Sequence, residues 1–186
     1  FYLANYNLAL EKYLSLYAQN PDKELVSLRL AQIYYYLGDY EQSESFLKDI
    51  VPNYDVCLLQ GNIMLAKKNY ASALDQFFLA EGYATDNVRK IEAQSYRALC
   101  LYQMKRFKEA SALYLKLSSS KESPDTYLYL AAKSAFAAKD YHLALELYGD
   151  FIDKYPESNY FLDALAEIAN AYYNMGNYAR AVDDWI

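Results

Sequence analysis

Apolar residues recur at three- and four-residue spacing along most of the chain, which predicts amphipathic helices. Five stretches carry this pattern over about four turns each, and they span residues 24–38, 54–68, 91–105, 125–139 and 162–176. Soon after each stretch, an aromatic residue opens a second apolar pattern with the same spacing. The chain therefore reads as a series of helix pairs, each pair joined by a tight turn.

The aromatic residues that open the second patterns are evenly spaced. They are Tyr6, Tyr40, Tyr70, Phe107, Tyr141 and Tyr178. Successive members are 34, 30, 37, 34 and 37 residues apart. A regular period built from two helices is typical of a helical repeat protein. We place the extra length of the 37-residue interval after Tyr70 in residues 81–87.

Small residues stand at one register of each predicted helix. In the first helices they are Ala31, Gly61, Ala98, Ala132 and Ala169. In the second helices they are Ala9, Ser43, Ala73, Ala110, Ala144 and Ala181. Two antiparallel helices approach closely only where neither presents a large side chain. These positions therefore predict the line of contact within each pair.

Turn-forming residues separate the helices. Gly38 and Gly176 suit the left-handed conformation that closes a first helix. Side chains that cap the following helix are predicted at Asp39, Asn69, Asp140, Asn177 and Asn5. Lys105 and Arg106 offer neither feature, so we predict a looser or water-capped turn there. Proline lacks the N–H that continues a helix, and the residues predicted to separate one unit from the next are Pro21, Pro52, Pro124 and Pro156.

The combined pattern resembles the tetratricopeptide repeat. The stretches that carry the resemblance include "LAQIYYYLGDYEQSESFL", "AAKSAFAAKDYHLALELYGDFIDKYP" and "IANAYYNMGNYARAVDDW". Departures from the family pattern are Ser43 in place of alanine, Leu47 in place of an aromatic residue, and the Lys105–Arg106 turn. The resemblance implies an all-α fold, a right-handed α-solenoid of stacked helix–turn–helix units with about 11 helices.

A narrower resemblance concerns the last part of the chain. The stretch "DKYPESNYFLDALAEIANAYYNMGNYARAVDDW" is similar to longer repeats with a Tyr-Pro-x-Ser linker. Such repeats occur in bacterial envelope proteins such as the barrel-assembly lipoprotein BamD and the Tol-Pal-associated coordinator. The similarity implies a role in bacterial envelope assembly.

We expect residues 1–186 to form a single solenoid. Its parts are a half repeat 1–22, repeats 23–53, 54–87, 88–124 and 125–160, and a partial repeat 161–186. The helical pattern is still running at Trp185, which we expect to pack on its own first helix. Because a solenoid normally ends in a polar cap, we expect the chain to be a fragment of a longer protein.

Charge and composition narrow the classes of partner. The net charge is −6 and no basic stripe is present, which argues against nucleic acid because a backbone-binding surface needs clustered Lys and Arg. No apolar run reaches the roughly 18 residues that a membrane span needs, so membrane contact is expected only through a missing anchor or a partner. The compartment, periplasmic or cytoplasmic, and the oligomeric state stay open.

Residues suited to catalysis are sparse. The single histidine, His142, falls at a register that faces solvent. Cys57 and Cys100 lie in apolar helical pattern without CxxC spacing, so we interpret them as buried packing residues. Neither a GxGxxG nor a GxxxxGK[ST] motif occurs. The sequence therefore predicts no enzyme activity, no metal, no cofactor and no small-molecule substrate.

The resemblance also implies a concave groove lined by the first helices. The positions that correspond to the groove of the family are Leu28, Gln32, Tyr35, Leu58, Asn62, Leu65, Ser95, Leu99, Tyr102, Tyr129, Lys133, Phe136, Ala166, Asn170 and Tyr173. Leu28 and Leu58 occupy lysine positions of the carboxylate clamp found in some members, which disfavours that mode. Some of these side chains have the alternative of packing on the next repeat.

These observations predict a non-catalytic scaffold that binds a protein, either a peptide or a partner helix, in the groove. Two other functions stay open. One alternative is that the repeats are the targeting arm of a longer enzyme. The other is that they form a structural spacer that associates with itself.

Overall fold

The computed structural model describes residues 2–19 and 23–183, and the side chains of 5–19 and 23–181. Within these ranges the chain is all-helical and contains no strand. The helices are α1 (Tyr2–Gln19), α2 (Lys23–Leu37), α3 (Tyr40–Leu47), α4 (Tyr54–Ala66), α5 (Tyr70–Tyr83), α6 (Asn87–Gln103), α7 (Phe107–Leu117), α8 (Pro124–Ala137), α9 (Tyr141–Lys154), α10 (Phe161–Asn174) and α11 (Tyr178–Asp183). The predicted all-α class of consecutive helix–turn–helix units is confirmed.

The chain divides into two compact units, residues 1–85 and 86–186. In the first unit α1 packs on α2, α2 on α3, and α4 on α5. The first helices of adjacent repeats, α2 and α4, are also neighbours. In the second unit each helix from α6 to α11 packs on the next, and α8 also contacts α10. Within each unit, taken by itself, two first helices are therefore neighbours.

One predicted turn is wrong. Asn5 lies inside α1, which runs without a break from Tyr2 to Gln19. No glycine or proline occurs in this stretch, so nothing in the backbone stops the helix before Asn5. Asn5 therefore caps no helix. Trp185 and Pro21 lie outside the described residues, and so do the contacts predicted for them.

Five turns inside the helix pairs share one backbone geometry. The residue two positions before each second helix has a positive φ, with values of 81° at Gly38, 59° at Lys68, 61° at Lys105, 61° at Lys139 and 77° at Gly176. In each turn the amide of this residue donates to the carbonyl three residues back. The next amide donates to the carbonyl five residues back, and all of these bonds measure 2.8–3.0 Å. These two bonds satisfy carbonyls at the end of the first helix, as in a Schellman motif.

The turn at Lys105 and Arg106 is not looser than the others, so the prediction of a looser turn is wrong and only its alternative, a water cap, stays a prediction. Its two backbone bonds, to Tyr102 O and Leu101 O, both measure 2.9 Å. Arg106 provides no side-chain cap, but its guanidinium makes two 2.7 Å hydrogen bonds to the carboxylate of Glu109. The turn is closed by its backbone, and therefore it tolerates residues that a capping rule would reject.

Side-chain caps occur where the sequence predicts them in the other turns. Asp39, Asn69 and Asp140 each accept a hydrogen bond from the amide three residues on. Asn177 accepts from the amide of Arg180 at 3.4 Å. Asn53 and Asp86 cap α4 and α6 in the same way. Pro124 is the first residue of α8, where the missing N–H costs no hydrogen bond.

The extra length of the 37-residue interval lies mostly in helix. Within residues 81–87, α5 continues to Tyr83 and α6 begins at Asn87, so only 84–86 form a linker. The helix α6 starts four residues before the apolar pattern that predicts it. The added residues therefore lengthen a repeat without opening a long loop.

Small residues mark the closest approach between paired helices. A Cβ built on Gly61 of α4 would lie 2.5 Å from the ring of Phe77 in α5, so the ring fills the space that a side chain would need. Ser43 stands where the family has alanine, and its hydroxyl donates to the carbonyl oxygen of Ala31 at 2.7 Å. Gly61 and Phe77 are both buried, and so are Ser43 and Ala31. The departure at Ser43 is therefore compatible with the core, because its polar atom is satisfied.

Replacing Lys105 with glycine should stabilise the protein. A side chain in the left-handed region costs roughly 1–2 kcal/mol, which glycine avoids. We expect Lys105→Gly to raise the free energy of unfolding by about 1 kcal/mol, measured by urea denaturation. The matched control is Lys90→Gly, at an exposed position within α6, which should lower it by about 1 kcal/mol. An equal loss of stability in both variants would contradict the assignment of the turn.

Replacing Gly61 with alanine should destabilise the first unit. The new methyl group would overlap the ring of Phe77, and such overpacking costs about 1–3 kcal/mol. Thermal denaturation followed by circular dichroism measures the loss. Gly82→Ala is the control, since a Cβ at Gly82 meets nothing within 4 Å and should be neutral or stabilising. If Gly61→Ala were equally neutral, the close approach of α4 and α5 would be refuted.

Candidate functional site

The first unit places two sets of predicted groove residues on neighbouring helices. Leu28, Gln32 and Tyr35 lie on α2, and Leu58, Asn62 and Leu65 lie on α4. All six side chains are half-buried. The guanidinium of Arg29 donates to the side-chain oxygen of Gln32 at 2.8 Å. Because α2 and α4 are in contact, the structure brings these residues onto adjoining surfaces.

The second unit presents its predicted residues with a wider range of exposure. Ser95, Leu99 and Tyr102 of α6 are half-buried, and so are Lys133 and Phe136 of α8 and Ala166 of α10. Asn170 and Tyr173 of α10 are exposed. Tyr129 of α8 is only 5% exposed. The most accessible of these predicted residues are therefore Asn170 and Tyr173 of α10.

Several of the predicted groove aromatics also support the turns. In four repeats the aromatic residue near the end of the first helix packs on the aromatic residue that opens the second. The pairs are Tyr35–Tyr40, Tyr102–Phe107, Phe136–Tyr141 and Tyr173–Tyr178, with ring centroids 5.1–5.9 Å apart. Leu65 takes the corresponding place before Tyr70. These side chains therefore have a structural role whether or not a ligand contacts them.

Tyr129 belongs to the core of the second unit. Its ring stacks on Tyr160 at a centroid distance of 4.6 Å and an interplanar angle of 9°. The ring centroids of Tyr148 and Phe151 each lie 5.9 Å from that of Tyr129. The ammonium of Lys133 lies 5.7 Å from the centroid of Tyr129. An alanine at this position would remove packing between repeats, so Tyr129 is a poor position for testing ligand contact alone.

Tyr148 of α9 is a residue that the sequence patterns do not single out for binding. Its side chain is 0% exposed, and its hydroxyl has no hydrogen-bond partner within the described chain. Burial raises the pKa of this hydroxyl well above its usual range. The carboxylate of Glu167, the hydroxyls of Tyr129 and Tyr102, and the carboxylate of Asp163 raise it further. Tyr148 is therefore a neutral phenol in the folded protein.

The two carboxylates belong to α10 and are one turn apart. Both also raise the pKa of Tyr129, to about 12, after the larger effect of burial. Asp163 is exposed and Glu167 is half-buried. Neither forms an ion pair within the described chain, and Glu167 accepts only a long hydrogen bond, 3.5 Å, from the amide of Asn170. We call Tyr102, Tyr129, Tyr148, Asp163 and Glu167 the acidic tyrosine cluster.

The residues considered for catalysis are one exposed histidine and two buried cysteines. His142 is exposed on α9. Cys57 and Cys100 are buried free thiols, as the sequence predicts. Burial raises the pKa of both, that of Cys100 to about 11. Because the thiolate is the nucleophile, neither cysteine is activated.

The described residues contain no group of three or more His, Cys, Asp or Glu side chains close enough to hold a metal ion. Their helices include none with the length and apolar character required to cross a bilayer.

Comparison with known families identifies the repeats. A tetratricopeptide repeat model matches residues 26–54. The model for subunit 3 of the anaphase-promoting complex, or cyclosome, matches residues 66–151. The chain thus contains tetratricopeptide-like repeats. A search of curated proteins gives no match.

Solved structures of tetratricopeptide repeat proteins share the fold. One, from Parabacteroides merdae, is 18% identical with a TM-score of 0.73, and covers 97% of this chain and 71% of its own. MamA from Desulfovibrio magneticus is 14% identical with a TM-score of 0.73, over 89% of this chain and 92% of its own. MamA of strain AMB-1 is also 14% identical, with a TM-score of 0.67, over 89% and 96%. At these identities the likeness concerns the fold.

Removing the hydroxyl of Tyr148 should stabilise the protein in the absence of a ligand. An unsatisfied buried polar group costs about 1–3 kcal/mol, so Tyr148→Phe should raise the free energy of unfolding at pH 8 by about 1 kcal/mol. Urea denaturation measures it. The control Tyr173→Phe removes a hydroxyl from a side chain that is 64% exposed and should change little.

The same variant should alter the response to alkaline pH. The folded pKa of Tyr148 lies above its ordinary value of 10.0, so the folded state keeps a proton that the unfolded state loses above pH 10. Its contribution to stability is therefore complete below pH 10 and falls as the pH rises further. We expect the loss of stability between pH 9 and pH 11 to be smaller in Tyr148→Phe. An identical loss would show that the hydroxyl is solvated.

Proposed function

We propose that the protein is a non-catalytic scaffold that holds a peptide or a partner helix on the face formed by its first helices. The observation that carries this proposal is the contact between α8 and α10, which adjoins accessible side chains of both helices. Lys133 and Phe136 are half-buried there, and Asn170 and Tyr173 are exposed. The same arrangement of α2 and α4 offers a second such surface in the first unit.

The side chains on these surfaces suit a polypeptide. Gln32, Asn62 and Asn170 each carry an amide donor and an amide acceptor, which match the alternating N–H and C=O groups of a peptide backbone. Aromatic and aliphatic neighbours supply apolar contact area. Proteins of this repeat family generally bind protein partners, and this supports the assignment. The linker resemblance to bacterial envelope proteins favours an assembly role in that setting.

The surroundings of the histidine and the raised pKa values of the two thiols support the proposal. A lone exposed histidine has no positioned partner, and both thiols have pKa values that favour the protonated form. Catalysis by a nucleophile needs an adjacent base or a lowered pKa. Binding alone requires neither, so the site chemistry fits a scaffold.

Truncating two accessible groove residues should weaken peptide binding. We would select peptides from a random display library on the intact chain and measure the affinity of the enriched sequences. Asn170→Ala combined with Tyr173→Ala should lower it about tenfold or more, which corresponds to about 1.4 kcal/mol. Both side chains are exposed, and circular dichroism checks that losing the contact of Tyr173 with Tyr178 leaves the helices intact.

The matched control combines Asn159→Ala with Leu115→Ala, an exposed amide and an exposed apolar residue outside the predicted groove. It should leave peptide affinity unchanged. Equal losses in the two double variants, or enriched peptides that neither variant affects, would refute the groove as the binding surface.

A further inference from the structure

The first unit contains an open cavity of about 520 Å³, lined by residues of α1, of α2 and of α3 with the segment that follows it. We call it the α2 cavity. Its two buried lining residues are Ser27 of α2 and Ile50. The rings of Tyr17 and Phe46 also line it. None of its described lining residues is a predicted groove residue, so the cavity is a separate candidate site with the volume of a ligand pocket.

The hydroxyl of Ser27 lines this cavity without a hydrogen-bond partner. The residue is only 8% exposed, and its side chain makes no hydrogen bond to the described residues. The other buried serines of the described chain, Ser43, Ser111 and Ser134, each donate to a carbonyl oxygen at 2.7–2.9 Å. Because buried polar groups are nearly always hydrogen-bonded, the exception at Ser27 indicates a hydroxyl that is available to a bound group.

The two rings of the cavity form an aromatic wall. Tyr17 and Phe46 meet edge to face, with centroids 5.5 Å apart and an interplanar angle of 85°. Phe46 is held in place by stacking on Tyr34 at 5.6 Å and 12°. Aromatic rings favour edge-to-face and offset contacts with further rings. The wall therefore suits a third aromatic ring, with Ile50 as an additional apolar contact.

The polar groups of the cavity are mainly hydrogen-bond acceptors. The carboxylates of Glu24 and Asp49 line it and form no ion pair within the described chain. The hydroxyl of Ser45 donates to the carbonyl of Gln42 at 2.8 Å, so its oxygen can accept a further bond. The charged donor in the described lining is Lys23. A ring that donates one hydrogen bond and accepts none therefore fits best, and indole is such a ring.

We infer that the α2 cavity binds a tryptophan side chain of a partner polypeptide. The indole ring packs against Tyr17 and Phe46, and its N–H donates to the hydroxyl oxygen of Ser27. The charged lining side chains are exposed, so the cavity is open to solvent. An open cavity suits a side chain whose backbone stays outside, whereas a free small ligand buries most of its surface.

This inference rests on the proposed function in one respect, because it takes the partner to be a polypeptide. It differs in the surface used, since the predicted groove residues do not line the cavity. Tryptophan is among the residues that most often dominate binding energy at protein interfaces. The cavity therefore adds a specific anchor to a scaffold.

Titration with N-acetyl-tryptophan amide tests the chemistry. The probe is added to the intact chain, labelled with ¹⁵N, and two-dimensional NMR follows the backbone amides. We expect the signals of Ser27, Phe46 and Ile50 to shift. The 1-methylindole analogue of the probe lacks the N–H donor and should bind about fivefold more weakly, which is the effect of one hydrogen bond. Equal affinities, or shifts confined to other parts of the chain, would overturn the inference.

A protein variant tests the hydrogen bond from the other side. Ser27→Ala should weaken the binding of N-acetyl-tryptophan amide about fivefold and leave the 1-methylindole analogue unchanged. The variant should fold normally, since alanine favours a helix. The matched control, Ser72→Ala, lies at a half-buried position of α5 in the same unit and should affect neither probe. Equal effects of the two variants would overturn the inference.

Peptide selection separates this inference from the proposed groove. Among peptides enriched from the random display library on the intact chain, those displaced by N-acetyl-tryptophan amide should carry tryptophan. Their affinity should fall in Ser27→Ala and stay unchanged in the Asn170→Ala, Tyr173→Ala double variant.

Each contrary result has a distinct meaning. Peptides that depend on Asn170 and Tyr173, with none displaced by the probe, would overturn the inference and leave the proposed function standing. Tryptophan peptides that depend on Ser27, without any that depend on the groove, would uphold the inference and refute the groove. A probe that binds while no tryptophan peptide is enriched would overturn the assignment to a polypeptide.

Discussion

The close approach of paired helices is the constraint on which the other features depend. It requires a small residue at one register of each helix, and in the first unit it is tight enough that the ring of Phe77 occupies the place of a side chain at Gly61. The aromatic side chains are then accommodated beside the contact line and at the turns. Their positions follow from the helix spacing, which explains why so many rings recur at equivalent places.

The turns show how the fold tolerates variation in sequence. Two backbone hydrogen bonds close each turn, and the residue with positive φ is glycine in two repeats and lysine in three. A side chain in this conformation has an energetic cost, but the cost is small compared with the packing of a helix pair. The identity of the turn residue is therefore a weaker guide to structure than the spacing of the helices around it.

The sequence predicts the helix pairs well because their period depends on packing. Close packing requires a small residue at Ala31, Gly61 and the equivalent positions, so the period is visible in the sequence. It predicts the Lys105 turn and Asn5 poorly. A capping rule considers side chains only, so it does not predict the backbone hydrogen bonds that close the Lys105 turn. The same rule does not distinguish a capping asparagine from one inside a continuous helix, which is the case of Asn5. The groove residues follow from family register alone, so their burial, as at Tyr129, becomes visible only once neighbouring repeats are placed.

The acidic tyrosine cluster lies beyond such reasoning because its members come from four helices. The apolar spacing predicts Tyr148 only as a core residue. Phenylalanine would fit the same spacing and would avoid an unpaired buried hydroxyl. A core that keeps this hydroxyl beside two carboxylates sacrifices stability for polarity at one place. Stability alone does not favour that arrangement.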